Sequence, residues 1–240
     1  MLVLLHGFTQ TGASWEEVRA ELPAGPEVRA PDVRGHGAAR EARPVTLAAV
    51  LADLDAVVPP AAVLAGYSMG GRLALHYAVA RPGRLSRLVL VGASPGLSGP
   101  AERAERRAAD EALAARIEAG AIEAFADAWG ALPLWDGQPA AVRTLARADR
   151  LRNTPAGLAA ALRGLGTGAL PPLWARLGRL EVPVDLVVGE RDAKFRAIAE
   201  AMAERLADAR LAVIGGAGHA AHLERPDAVA RVIAWRRAEV

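Results

Sequence analysis

Over the first 93 residues, short apolar runs alternate with stretches of helical periodicity, and this alternation limits the fold more than any other feature of the chain. Residues 2–5, 28–33, 61–67 and 88–93 read as buried strands. Residues 15–22, 47–58 and 70–80 read as helices. Ser14 is positioned to N-cap the first, and Pro59-Pro60 stops the second. A strand that is followed by a helix and then a strand returns parallel to itself, because the helix carries the chain back across one face. The expectation is therefore an α/β fold, with a mostly parallel sheet and helices on both faces.

The pattern changes after residue 100. Residues 102–119, 122–129, 140–152 and 156–165 read as helices rich in alanine and arginine, with no strand among them. Strand patterns resume at 184–188 and 211–214, and 227–237 reads as a closing amphipathic helix. This predicts one α/β core, residues 1–96 and 171–240, interrupted over 97–170 by a helical insertion that forms a cap.

Composition narrows the function classes. Of the 240 residues, 52% are hydrophobic and 23% charged, which excludes a disordered chain. The apolar runs fall far short of the roughly 20 residues that span a bilayer, so no membrane partner is expected. The absence of cysteine excludes disulfides, thiolate metal sites and cysteine nucleophiles. Lys194 is the only lysine among 29 basic residues, and 27 acidic residues are mixed among the arginines. Aromatics are only 4%, so the charge pattern is not that of a nucleic-acid binder. The chain runs from Met1 straight into a strand-like segment, which points to a cytoplasmic location.

The chemistry concentrates at Gly66-Tyr67-Ser68-Met69-Gly70, a G-x-S-x-G motif between an apolar strand and a helix. That context makes Ser68 a candidate nucleophile or base on a sharp strand-to-helix turn, with glycines giving room for close backbone approach. The alternative is an ordinary β-to-α turn. An oxyanion hole needs two converging N–H donors. Met69, directly after the serine, offers one. Phe8, in His6-Gly7-Phe8 after the first strand, offers the other, with His6 as a brace for that loop.

Serine needs a histidine in reach. Of the five, His6, His36 and His76 sit in turns or on a helix. His219, in Gly215-Gly216-Ala217-Gly218-His219, follows a late strand, where ligands bind in open α/β sheets. His222 reads as a helix-end or surface residue, and no third ligand joins it and His219 in a metal site, so no metal is expected. Asp192, in the loop after 184–188, is the candidate orienting carboxylate, while Glu190 is expected to pair with Arg191. The order Ser68, Asp192, His219 is that of an α/β-hydrolase triad.

With these motifs the chain resembles the α/β hydrolases, and within them the 2-succinyl-6-hydroxy-2,4-cyclohexadiene-1-carboxylate synthases of menaquinone biosynthesis. The resemblance covers nearly the whole chain. It rests on His6-Gly7-Phe8, on Gly66 to Arg72, on Ser94-Pro95-Gly96-Leu97, on Asp192-Ala193-Lys194-Phe195 and on Gly218 to Glu224. It implies elimination of pyruvate from 2-succinyl-5-enolpyruvyl-6-hydroxy-3-cyclohexene-1-carboxylate, with no cofactor. It also implies that Tyr67, Arg72, Arg106, Trp129, Trp135 and Arg150 line the substrate site.

A polycarboxylate substrate fits an arginine-rich cap, since guanidinium forks suit carboxylates. Cap arginines equally well face solvent, and Trp129 and Trp135 equally well fill the cap's own core. Arg150 and Arg152 remain alternatives for the inward position. The competing function is a carboxylesterase or carbon–carbon bond hydrolase on the same fold. The family's usual leading strands before the oxyanion loop are expected to be trimmed, which leaves residues 2–5 or their neighbour at a sheet edge.

Overall fold

The computed structural model describes residues 1–25 and 27–234. Its centre is a six-stranded sheet: β1 (Leu2–Leu5), β2 (Val28–Arg29), β3 (Ala62–Tyr67), β4 (Leu85–Val91), β5 (Val184–Gly189) and β6 (Ala209–Ile214). The order is β2-β1-β3-β4-β5-β6, and every pairing is parallel.

The side-chain period of two sends alternate strand residues to opposite faces. Val3 and Leu5 of β1 join Leu64, Leu88, Leu90, Leu186 and Val188 on one face. There they meet α2 (Leu47–Val57), α3 (Met69–Ala80) and α8 (Ala193–Ala203). Leu2 and Leu4 turn to the other face with Val89, Val91 and Val187, against α1 (Glu16–Glu21) and α10 (Pro226–Ala234). Arg87 of β4 is buried, pairs with Asp185 of β5 at 2.5 Å and donates to the Val232 and Ile233 carbonyls at the end of α10. Residues 235–237 of the expected closing helix lie outside the described residues.

Four helices fill the interval between β4 and β5: α4 (Pro100–Glu118), α5 (Ile122–Gly130), α6 (Ala140–Arg150) and α7 (Pro155–Leu165). Pro100 and Pro155 stand in the first turn of α4 and α7, where a missing N–H costs nothing. α4 and α7 pack through Ala114, Ile117, Leu158, Ala159 and Leu162. The chain leaves and re-enters the core at one place, since Trp174 Nε1–H donates to Gly96 O at 2.8 Å and Leu173 N–H to Pro95 O at 2.8 Å. Among the described residues no helix is long and apolar enough to cross a membrane.

Two local expectations need correction. The strand expected over 28–33 ends at Arg29. Beyond it the backbone finds side-chain partners instead of a ladder: Val33 N–H donates to His6 Nε2 at 2.9 Å, and Asp32 accepts from Gly12 and Ala38 N–H, both at 2.7 Å. Ser14 does not cap the first helix. Thr11 caps a 3₁₀ turn over Gly12–Trp15, and the Ser14 hydroxyl donates to Thr11 O at 2.9 Å. β1 is an inner strand, paired on both sides, and the short β2 is the edge.

Candidate active site

The sheet order reverses between β1 and β3, and the loops leaving their carboxyl ends part there to open a crevice. Ser68 stands at that point, between β3 and α3, with φ 49° and ψ −107°. This is strained, left-handed backbone for a residue with a Cβ. Neighbouring bonds hold it: Ser68 N–H donates to Val91 O at 2.8 Å, and Ser68 O accepts from Arg72 N–H at 3.0 Å. A Cβ on Gly66 would overlap the Gly70 carbonyl, and one on Gly70 would collide with the Leu5 carbonyl. Only glycine permits a turn this tight.

Two late loops reach the serine. His219 Nδ1–H donates to Asp192 Oδ2 at 2.6 Å, and His219 Nε2 lies 3.3 Å from Ser68 Oγ. Asp192 also caps α8, its Oδ1 accepting from Phe195 N–H at 3.3 Å. One carboxylate oxygen therefore sits on the helix end and the other on the imidazole. With Nδ1 donating, Nε2 keeps its lone pair toward the hydroxyl, which is the tautomer a general base requires. Phe195 braces the imidazole from 4.4 Å.

Met69 is the first residue of α3, where N–H groups lack intrahelical acceptors. Phe8 follows β1. Among the described residues neither N–H has a protein acceptor, and both residues line the cavity that holds Ser68. The Phe8 loop is rigidly held. His6 Nε2 accepts from Val33 N–H and Nδ1–H donates to Gly7 O, each at 2.9 Å, so both ring nitrogens are occupied. Burial lowers the His6 pKa and keeps the brace neutral. Asn153 Nδ2–H holds the Thr9 carbonyl at 2.8 Å, where Thr9 itself has φ 72°.

The cavity measures about 290 Å³. Arg72, Arg106 and Lys194 line it with Ser68 and His219, and among the described residues no Asp or Glu does. Arg72 is buried: Nη2–H donates to Leu165 O at 2.9 Å, and among the described residues its Nε has no partner. Desolvation, then the nearby Arg106 charge, push its pKa down to about 10. It stays protonated at neutral pH, in a place where an anion would relieve it. Arg106 is steadied by Asp110, whose Oδ1 accepts from its Nε–H at 2.8 Å.

Comparison with known proteins agrees with this architecture. Residues 2–232 match the alpha/beta hydrolase family. A 2-succinyl-6-hydroxy-2,4-cyclohexadiene-1-carboxylate synthase of Klebsiella pneumoniae is 37% identical, over 97% of this chain and 92% of its own. The chain belongs to the 2-succinyl-6-hydroxy-2,4-cyclohexadiene-1-carboxylate synthase family, within the α/β hydrolases. A solved MenH structure from S. aureus matches with a TM-score of 0.91 at 33% identity, covering 97% of this chain and 91% of that one. A malate-bound thermophilic esterase from Thermogutta terrifontis matches with a TM-score of 0.79 at 28% identity, covering 97% and 87%.

Not every side chain that the synthase resemblance assigned to the site lines the Ser68 cavity. Arg72, Arg106 and Trp129 do. Tyr67, Trp135 and Arg150 do not. Tyr67 lies one residue before the elbow, so the strand period turns its ring to the opposite face, 4.1 Å from His222 and 5.3 Å from His219. Trp135 donates from Nε1–H to Trp129 O at 2.8 Å, and the Arg150 guanidinium lies 5.6 Å from the centre of the Trp135 ring. Arg150 is nonetheless the buried member of its pair, and Arg152 is exposed.

Other expectations shift as well. His222 is fully buried between Trp15 and Tyr67, not at the surface. Glu190 does not pair with Arg191. Its Oε2 accepts from Gly216 N–H at 2.8 Å, while Arg191 binds Glu224 at 2.7 Å. Glu224 also accepts from Gly218 N–H at 2.8 Å and so fixes the loop next to His219. Sequence reasoning passed over Glu224 and Lys194. The signal for Lys194 was its solitude among the basic residues; Glu224 gave none before the loops were folded together.

Proposed function

We propose that this protein eliminates pyruvate from 2-succinyl-5-enolpyruvyl-6-hydroxy-3-cyclohexene-1-carboxylate to give 2-succinyl-6-hydroxy-2,4-cyclohexadiene-1-carboxylate. The observation that carries this reading is a serine–histidine–aspartate line opening into a cavity whose charged lining is wholly cationic. An esterase working on neutral esters has no use for Arg72 and Arg106 there. A substrate with three carboxylates does.

In this mechanism His219 Nε2 takes the Ser68 proton, and Asp192 stabilises the imidazolium. Ser68 Oγ then removes the ring proton next to the succinyl ketone. The ketone oxygen becomes an enolate held by the Phe8 and Met69 N–H groups. Charge returns through the ring double bond, the carbon–oxygen bond to the enolpyruvyl group breaks, and pyruvate leaves as its enolate and takes up a proton. Arg72 and Arg106 bind carboxylates and hold the substrate in register. The helical segment 97–170 acts as the cap that carries Arg106 and Trp129 over the serine.

The test is direct. Purified protein mixed with the enolpyruvyl substrate should release one pyruvate per substrate consumed, followed with a lactate dehydrogenase coupling. No pyruvate above background, together with fast cleavage of a short-chain nitrophenyl ester, would replace this reading with an esterase.

A further inference from the structure

We infer that Lys194 is a third carboxylate-binding cation of the Ser68 cavity and sets its preference for substrates with three carboxylates. The inference rests on the proposed function and adds to it a residue for the remaining carboxylate.

Arg72 enters the cavity from α3 and Arg106 from α4. Lys194 enters from α8, so the cations come from three different elements. Arg150, which the resemblance implies as a third, has its guanidinium 5.6 Å from the centre of the Trp135 ring. Among the described residues the Lys194 ammonium forms no ion pair, whereas Arg106 is neutralised in part by Asp110. Its Nζ lies 5.8 Å from the centre of the Phe195 ring, and that ring is packed 4.4 Å from His219. The lysine thus shares the cavity wall with the ring that packs on His219.

Two sequence features single out this position. Lys194 is the only lysine among 29 basic residues, so arginine serves everywhere else that a cation is needed. It also occupies the second residue of α8, in a first turn that holds no acid. A cation at the positive end of a helix is unfavourable locally. Lys194 is exposed, and an ammonium that no protein carboxylate neutralises is available to one from a substrate. The site is therefore adapted to capture one end of a substrate already held by the arginines.

The experiment uses the full chain and two readouts. In the first, pyruvate release is measured for wild type, Lys194→Gln and Lys194→Arg. Losing a charged hydrogen bond should raise KM about tenfold or more in Lys194→Gln, with kcat changed far less, and Lys194→Arg should recover most of the loss. In the second, the Ser68→Ala protein is treated with acetic anhydride with and without the enolpyruvyl substrate, and acetylation is located by mass spectrometry. The substrate should slow labelling of Lys194 and leave the Met1 amine unaffected. Wild type that releases pyruvate, combined with an unchanged KM in Lys194→Gln or equal labelling of Lys194 with and without substrate, overturns the inference alone. Wild type that releases no pyruvate overturns the function on which it rests.

Discussion

The Asp149 carboxylate accepts both the backbone N–H and the hydroxyl of Thr11, at 2.9 and 2.5 Å, across 138 residues of chain. Asp149 belongs to α6 of the helical insertion, and Thr11 to the loop that carries Phe8. Asn153 repeats the link by binding Thr9 O and accepting from Gly37 N–H at 3.0 Å. The insertion is therefore fastened to the loop that carries Phe8. Asp149→Ala leaves two buried donors unpaired and should cost about 2–3 kcal/mol of stability. It should also lower kcat, because Phe8 N–H loses its fixed aim. Urea denaturation and turnover measured on the same variant check both; a stable variant with reduced kcat would place the effect in the loop alone.

Ser68→Ala should reduce pyruvate release by at least about a thousandfold. Asp192→Asn should cost on the order of 10⁴ in kcat, since an amide donor facing Nδ1 forces the proton onto Nε2 and removes the lone pair that faces Ser68. Single-turnover kinetics separate these losses from weaker binding. An Asp192→Asn enzyme within tenfold of wild type would exclude His219 as the base.

Arg72→Ala should lower kcat/KM by about a hundredfold, the worth of a buried, charge-assisted hydrogen bond. Arg72→Lys should recover only part of it, because an ammonium cannot both bind Leu165 O and present a fork. Arg72→Ala should not unfold the protein: it removes a desolvated charge whose pKa burial has already pushed down to about 10. Thermal melts beside kcat/KM distinguish binding from stability.

Acid should destabilise the fold before it exhausts the carboxylates. Burial, with smaller contributions from neighbouring basic side chains, pushes His36 and His222 down to about 3 and His76 to about 4, against an unfolded value of 6.5. Below pH 6.5 the unfolded chain binds protons that the folded chain refuses, so stability falls as pH falls. Each such histidine contributes roughly 1.4 kcal/mol per pH unit until its folded pKa is reached. Melting temperature should therefore drop steadily from pH 6.5 toward 4 and be nearly flat from 7 to 8. A flat profile from 6.5 to 5 would show that these imidazoles are not held neutral.

The α/β architecture could be read from the sequence because periodicity depends only on local order. The serine elbow could be read because a tight turn demands glycine at fixed spacing. What could not be read depends on partners distant in the chain. The segment after Arg29 has strand-like residues, yet its backbone is satisfied by Asp32 and by His6. Arg150 is the last residue of α6 and Arg152 lies two positions beyond it, so the end of the helix, which the sequence leaves open, decides that the first is buried and the second exposed. Lys194 could be counted from the sequence but not placed, since its role depends on Arg72 and Arg106 arriving from two other elements.

The outermost strand has a consequence of its own. β6 pairs only with β5, and the loop after it brings His219. His219 thus follows a strand three places from β3, and its reach to Ser68 depends on β4 and β5 lying between them. A chain cut after Ile214 would keep Ser68 and Asp192 and lose both His219 and the helix that covers one face of the sheet. Recovery of activity in refolding therefore reports a sheet complete through β6, not its centre alone.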